Sequence, residues 1–245
     1  MWDEKKLSSL PSKDGFRLRG METTRMETFI DAAFAFAITM LVISIGDIPD
    51  SYSELIYALK GTPAFAMSFA AVLLFWLGHR RWSRRCGFED GLTIFISMFL
   101  VFLVLVFVYP LKLMFSALGA WATAGWLPSE FRITHAGELI YLFIIYGLGF
   151  AFLTILMAWL NYRTITKRKI LLLNEIELMT TKQEILLWLI LGITGFTSAL
   201  FALIFPPRIA IYAGFVYFSL PFTMNFVALY YAKKIKRWNS DNAIN

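Results

Sequence analysis

The stretch "RMETFIDAAFAFAITMLVISI", residues 25–45, decides the fold. From Ala32 onward it is almost wholly apolar, yet it opens with Arg25, Glu27 and Asp31. An apolar run of about 20 residues crosses the ~30 Å hydrocarbon layer as a helix. A carboxylate inside such a run costs at least ~2.5–3.5 kcal/mol on insertion scales, so Asp31 requires a protein neighbour rather than lipid. The stretch reads as a membrane helix that packs against others.

The rest of the chain agrees. Of its 245 residues 58% are hydrophobic, 17% aromatic and only 16% charged, against about a quarter charged in soluble domains. Apolar runs fall at about 28–46, 60–79, 91–118, 137–160, 185–205 and 209–234. This pattern predicts an all-α integral membrane protein, one domain of six transmembrane helices over residues 1–245. The separators are polar: "GDIPDSYS", "RRWSRRCGFED", "WLPSEFRITHAG", the long fourth loop from Asn161 to Glu184, and "PPR". Pro110 marks a kink or the outer end of the third run, and Pro221 lies inside the sixth. The "ILLLNEIELM" segment of the fourth loop has a helical pattern and is expected along the inner membrane surface.

Basic residues orient the chain. Of 23 lysines and arginines, 19 fall in the N-terminal segment, the second and fourth loops and the C-terminal tail. The positive-inside rule then puts both termini in the cytoplasm. The net charge of +6 is thus spent on topology and implies no nucleic-acid partner. The first 27 residues lack the pattern of a cleaved signal peptide. A single cysteine, Cys86, excludes an intramolecular disulfide and any multi-cysteine metal site. The two histidines, His79 and His135, fall on opposite sides of the bilayer. With no HExxH and no phosphate loop, no catalytic or metal-ligating set is legible, and an enzyme is not expected.

A helix turns about 100° per residue. With Phe29 at zero, Phe36, Met40, Ile43 and Asp47 fall within about 40° of it, and Arg25 on the same side. Thr39 flanks this stripe at about −80°, whereas Asp31 lands near −160° on the opposite face. Asp31 lies at the cytoplasmic end of the first span, level with His79 at the end of the antiparallel second span and one turn from Trp76. Arg25 or Arg80 completes such a group. Two uses of it stay open: a polar clamp that fixes packing, or a protonation site, since histidine titrates near pH 6.5. The Phe36–Met40–Ile43 stripe likewise reads as ordinary packing surface or as the lining of a path. Copies of this helix about an axis form a narrow apolar constriction, with Asp47, Asp50 and Glu54 as an acidic outer mouth. Apolar constrictions gate by dewetting, and acidic rings favour cations.

"RMETFID" followed by "AFAFAITMLVISI" resembles the signature of the transmembrane-protein-175 family of potassium channels: an arginine, three residues, Phe-Ser-Asp, then a pore helix. "FWLGHRRW" is similar to the family's second-helix segment, matched by Phe75, Trp76 and His79, and "VYPLKLMF" to its third-helix ending around Pro110. The resemblance implies a homotetramer of six-helix protomers whose first helix lines the pore, with no carbonyl selectivity loop. It implies pore-lining, gate and selectivity roles for Phe36, Thr39, Met40 and Ile43, with Asp47 at the outer mouth. It also implies a supporting polar network of Arg25, Phe29, Asp31, Trp76 and His79. This chain departs from the pattern at Ile30, where the motif has serine. It departs again at Phe36 and Met40, where isoleucine and leucine are usual.

The expected function is passive conduction of cations, potassium favoured, through a hydrophobic gate. Permeant K+ is expected and no cofactor. The expected partners are further copies of the chain, the lipid bilayer and monovalent cations, in the inner membrane of a prokaryote. The alternatives are a proton-coupled or cation transporter relaying through Asp31 or His79, and a non-conducting accessory membrane subunit. Transporters carry inverted repeats and broken helices; here only Pro221 and Asn225 suggest a break.

Overall fold

A computed structural model describes residues 2–44, 48–129 and 136–242. A short helix α1 (Glu4–Ser8) and a hairpin of β1 (Ser12–Lys13) and β2 (Phe16–Arg17) precede the first long helix, α2 (Arg25–Ile43). Then follow α3 (Tyr52–Lys60), α4 (Thr62–Cys86), α5 (Gly91–Ala122), α6 (Ala136–Thr166), α7 (Arg168–Leu171) and α8 (Glu175–Ile204). The chain closes with α9 (Pro207–Ala210), a 3-10 helix (Ile211–Ser219) and α10 (Leu220–Asn242). Among the described residues six helical segments are long and apolar enough to cross a membrane, and the protein is a multi-pass, mainly helical membrane protein.

Several helices run past their apolar stretches. The segment "RRWSRRC", expected as loop, is the last two turns of α4. That helix ends only at Gly87, whose φ of +58° is the left-handed conformation glycine adopts without strain. Hydropathy marks where a helix leaves lipid, not where its hydrogen bonding stops. The expected surface helix in the fourth loop is corrected for a related reason. Asn174 and Glu177 form a reciprocal capping box, so α8 begins at Glu175 and the segment divides into the end of α7, a turn at Leu172 and the first residues of α8. Pro110 is accommodated inside α5. Pro221 lies in the first turn of α10, where the 3-10 segment passes into the α-helix. It follows a 3-10 segment that breaks the sixth crossing.

The apolar core joins α2, α4, α5, α6 and α8. α2, α4 and α5 pack on one another, α5 passes contact to α6, and the most extensive interface is α6 on α8. Small residues make that last interface close. A Cβ added at Gly147 would stand 2.5 Å from the Gly195 carbonyl oxygen, and one at Gly195 would stand 2.8 Å from that of Gly147. Without a hydrophobic drive between helices in lipid, close backbone approach and dispersion hold the pair.

Polar contacts gather at one end of the bundle. Glu177, 0% exposed at the start of α8, accepts from both guanidinium groups of the N-terminal segment. Arg17 reaches it through Nη2 at 2.7 Å and Arg19 through Nη2 at 2.9 Å. Arg17 also donates its backbone N–H to the same carboxylate at 2.9 Å, and Arg19 Nε donates to the Leu171 carbonyl at 3.0 Å. Hydrogen bonds to Glu177 hold the Arg17 guanidinium above its usual basicity. Arg81 and Arg85 both reach Glu184, and Asp90, which caps α5, takes Arg163 and Lys167.

Candidate functional site

α2 is the element on which the candidate residues lie. Its start is doubly fixed. Thr24 accepts from the Glu27 amide at 3.1 Å, and Glu27 accepts from the Thr24 amide at 3.1 Å. The second Glu27 oxygen takes the Ser83 hydroxyl of α4. The Gly20 amide donates to the Arg84 carbonyl at 3.0 Å, so the chain entering α2 lies directly on the end of α4. A Cβ at Gly20 would meet the Ser83 carbonyl oxygen at 2.5 Å, which bars larger residues there.

From this start the helix shows two faces. Met26, Ile30, Phe34, Ala37 and Leu41 are buried against α4 and α5. Ile30, where the family pattern has serine, is 0% exposed and belongs to this apolar core. The opposite side carries large side chains left largely uncovered by the described residues: Phe36 is 56% exposed and Ile43 65%. Phe29 and Thr39 share that exposed side. Met40 is half-buried at its edge and packs on the core. The Thr39 hydroxyl donates to the Ala35 carbonyl at 3.0 Å, which leaves its oxygen as an acceptor on the exposed side. Asp47 lies outside the described residues. The other two acids of the expected outer cluster, Asp50 and Glu54, are exposed at the far end from Glu27.

The polar group expected behind the stripe divides in two. Trp76 Nε1 donates to Asp31 Oδ1 at 2.7 Å, and the Arg80 guanidinium stands 5.2 Å from the centre of the same indole. His79 does not join them. It is buried on another face of α4 and exchanges a 3.1 Å hydrogen bond with Ser97 of α5, with Trp82 beside its ring. Arg25 and Phe29 are exposed, and the Arg25 side chain forms no hydrogen bond or ion pair among the described residues. The reason is azimuth. His79 is at the right depth for Asp31, but it lies three residues from Trp76, about 60° away around α4.

Sequence reasoning missed Ser97, Ser83, Glu177 and Lys112. Lys112, on α5, is 3% exposed and donates through Nζ to the Ser44 carbonyl at the C-terminal end of α2. A lysine and a glutamate among apolar residues were visible signals, but nothing in the sequence gave their partners. Among the described residues no group of histidine, cysteine and carboxylates is arranged to hold a metal ion.

The architecture defines a six-span helical membrane protein whose first span is half core, half open surface. Residues 25–110 match the family described as "Endosomal/lysosomal potassium channel TMEM175". A potassium channel of Marivirga tractuosa is 32% identical over 211 residues, covering 83% of this chain and 85% of that protein. The fold is similar to a crystal structure of a threonine-to-alanine variant of the potassium channel MtTMEM175, bound to a nanobody–MBP fusion. The TM-score is 0.78 at 29% identity, over 91% of this chain and 100% of that one. The chain belongs to the TMEM175 family.

Proposed function

We propose that the protein is a potassium-favouring cation channel whose copies gather with the exposed face of α2 around a common axis. The observation that carries this reading is the sidedness of α2. A helix whose Ile30, Phe34, Ala37 and Leu41 are sealed in the protomer leaves Phe36, Thr39 and Ile43 open. In this reading Phe36 and Ile43 form apolar rings that resist wetting, with Met40 packing behind them. The Thr39 oxygens face the permeating ion between those rings. The exposed aromatic edge of Phe36 narrows the path more than an aliphatic side chain would. Asp31 and Trp76, with Arg80 on the indole, tie the helix to α4, and Asp47 with its acidic neighbours draws cations to the outer mouth. The end bearing the arginine–glutamate contacts faces the cytoplasm, as do both termini, since the basic residues collect there. The assembly is a tetramer, and the membrane is the inner membrane of a prokaryote. K+ is the transported ion; no cofactor takes part.

The test is potassium efflux from proteoliposomes loaded with K+ and held at uniform pH. A channel releases K+ as soon as a protonophore balances charge, with no coupling ion on the other side. Flux that appears only with an imposed proton gradient would replace this reading with coupled transport.

A further inference from the structure

The buried lysine of α5 has a place in this design that the family pattern does not explain. α2 is short: its 19 residues give a rod of about 28 Å. α5 has 32 residues and starts at the same end of the bundle, at Gly91. Lys112 is therefore about 31 Å along α5, level with the last turn of α2, and α5 continues about 15 Å beyond it to Ala122. That last turn of α2 carries no basic residue of its own. Its final carbonyls lack helical partners and bear the negative end of the helix dipole. A cation there must come from another helix, and Lys112 supplies it through the Ser44 carbonyl. A lysine this close to an interface has an inexpensive alternative, which is to extend its head into water. Lys112 is buried instead. An ionisable group so placed marks function together with its partner. Here one partner is the residue next to Ile43.

We infer that Lys112 is a positioning residue for conduction: it anchors the outer end of α2 to α5 and thereby fixes the Ile43 ring. The inference rests on the reading of α2 as the pore helix. Lys112 does not line the path; it acts through the backbone of Ser44.

Two readouts on the purified oligomer in lipid nanodiscs and planar bilayers test it, using the wild type, Lys112→Met and Lys112→Arg. The first is amide hydrogen exchange. In Lys112→Met, amides 41–44 exchange about tenfold faster than in the wild type, while amides 29–34 are unchanged; Lys112→Arg restores protection. The second is the reversal potential under a K+/Na+ gradient, which moves toward zero in Lys112→Met and returns in Lys112→Arg. Unchanged exchange at 41–44 in a folded Lys112→Met oligomer overturns the inference, whatever the current. Faster exchange with an unchanged reversal potential also overturns it, since the anchor then has no bearing on the path. If the wild type carries no current but exchange responds, the channel reading fails and the anchor stands. If Lys112→Met does not fold, the wild type decides. Protection at 41–44 within about tenfold of that at 34–37 supports the anchor, and a freely fraying last turn contradicts it.

Discussion

At the scale of the residue, Asp31 is the most informative side chain. Its partner is an indole N–H on the neighbouring helix, an exposed contact worth about 0–1 kcal/mol where water reaches it. Asp31→Ala and Trp76→Phe should each lower the melting temperature of the detergent-solubilised protein and weaken assembly. The double variant should be no worse than the poorer single, because the two lose one interaction. Full additivity in that cycle would show that the pair is not coupled. Phe36 belongs to the other face. Phe36→Ala opens the apolar ring, so K+ leak through proteoliposomes should rise several-fold with the oligomer intact. A fall would place Phe36 in a packing role instead. Spacing placed the open stripe, but Asp31 is exposed as well, and the sealed face of Ile30, Phe34, Ala37 and Leu41 lies about 100° around the helix from Phe29, between the two faces the wheel marks. The partner of Asp31 was only half legible. Depth along antiparallel helices pointed to His79, with Trp76 one turn further in, and rotation of α4, which no local pattern sets, gave Asp31 to Trp76 instead. Ser97, the partner His79 actually takes, is one of several small polar residues in apolar surroundings and had no signal of its own.

At the scale of the element, the six crossings were legible because lipid demands apolar length, and hydropathy reads that demand directly. Helix ends were not, because α4 and α8 continue through charged residues that water, not lipid, surrounds. The contacts among those charged ends link residues far apart in sequence, Arg19 to Glu177 above all, and no local rule pairs them. Their energetics follow from burial. Glu177→Gln removes one charge from a buried triad and strands two guanidinium groups, so it should cost about 3–5 kcal/mol. A thermal melt should show the loss, and Arg17→Lys should cost less, since Arg17 is the more exposed partner. Asp90 gives a pH prediction. Burial alone would raise its carboxyl. Bonds from the Thr93 hydroxyl and amide, with Arg163 and Lys167, outweigh this and hold it at about 2, below the ordinary 3.8. A carboxylate with a depressed folded value contributes stability above the unfolded value and loses it as pH falls through the folded one. The link from α5 to α6 should therefore be intact above about pH 4 and weaken from there toward about pH 2. Stability that is flat across that window in the wild type, or equally steep in Arg163→Met, would contradict the assignment.

At the scale of the whole molecule, the protomer is an incomplete object. Its tightest packing, α6 on α8, lies remote from α2, while α2 keeps an open apolar face beside a sealed one. Family membership and this sidedness together make the central claim, that several α2 helices enclose a path for K+. Composition revealed the membrane and the motif revealed the family. The assembly was not legible, because symmetry is a property of surfaces meeting rather than of a local pattern. The most direct measurement is the reversal potential of the purified protein in a planar bilayer, with K+ on one side and Na+ on the other at neutral pH. The account predicts a value close to the potassium equilibrium potential, moving toward zero in Thr39→Val. A wild-type value at zero, or an intact oligomer that passes no current at any voltage, would contradict it.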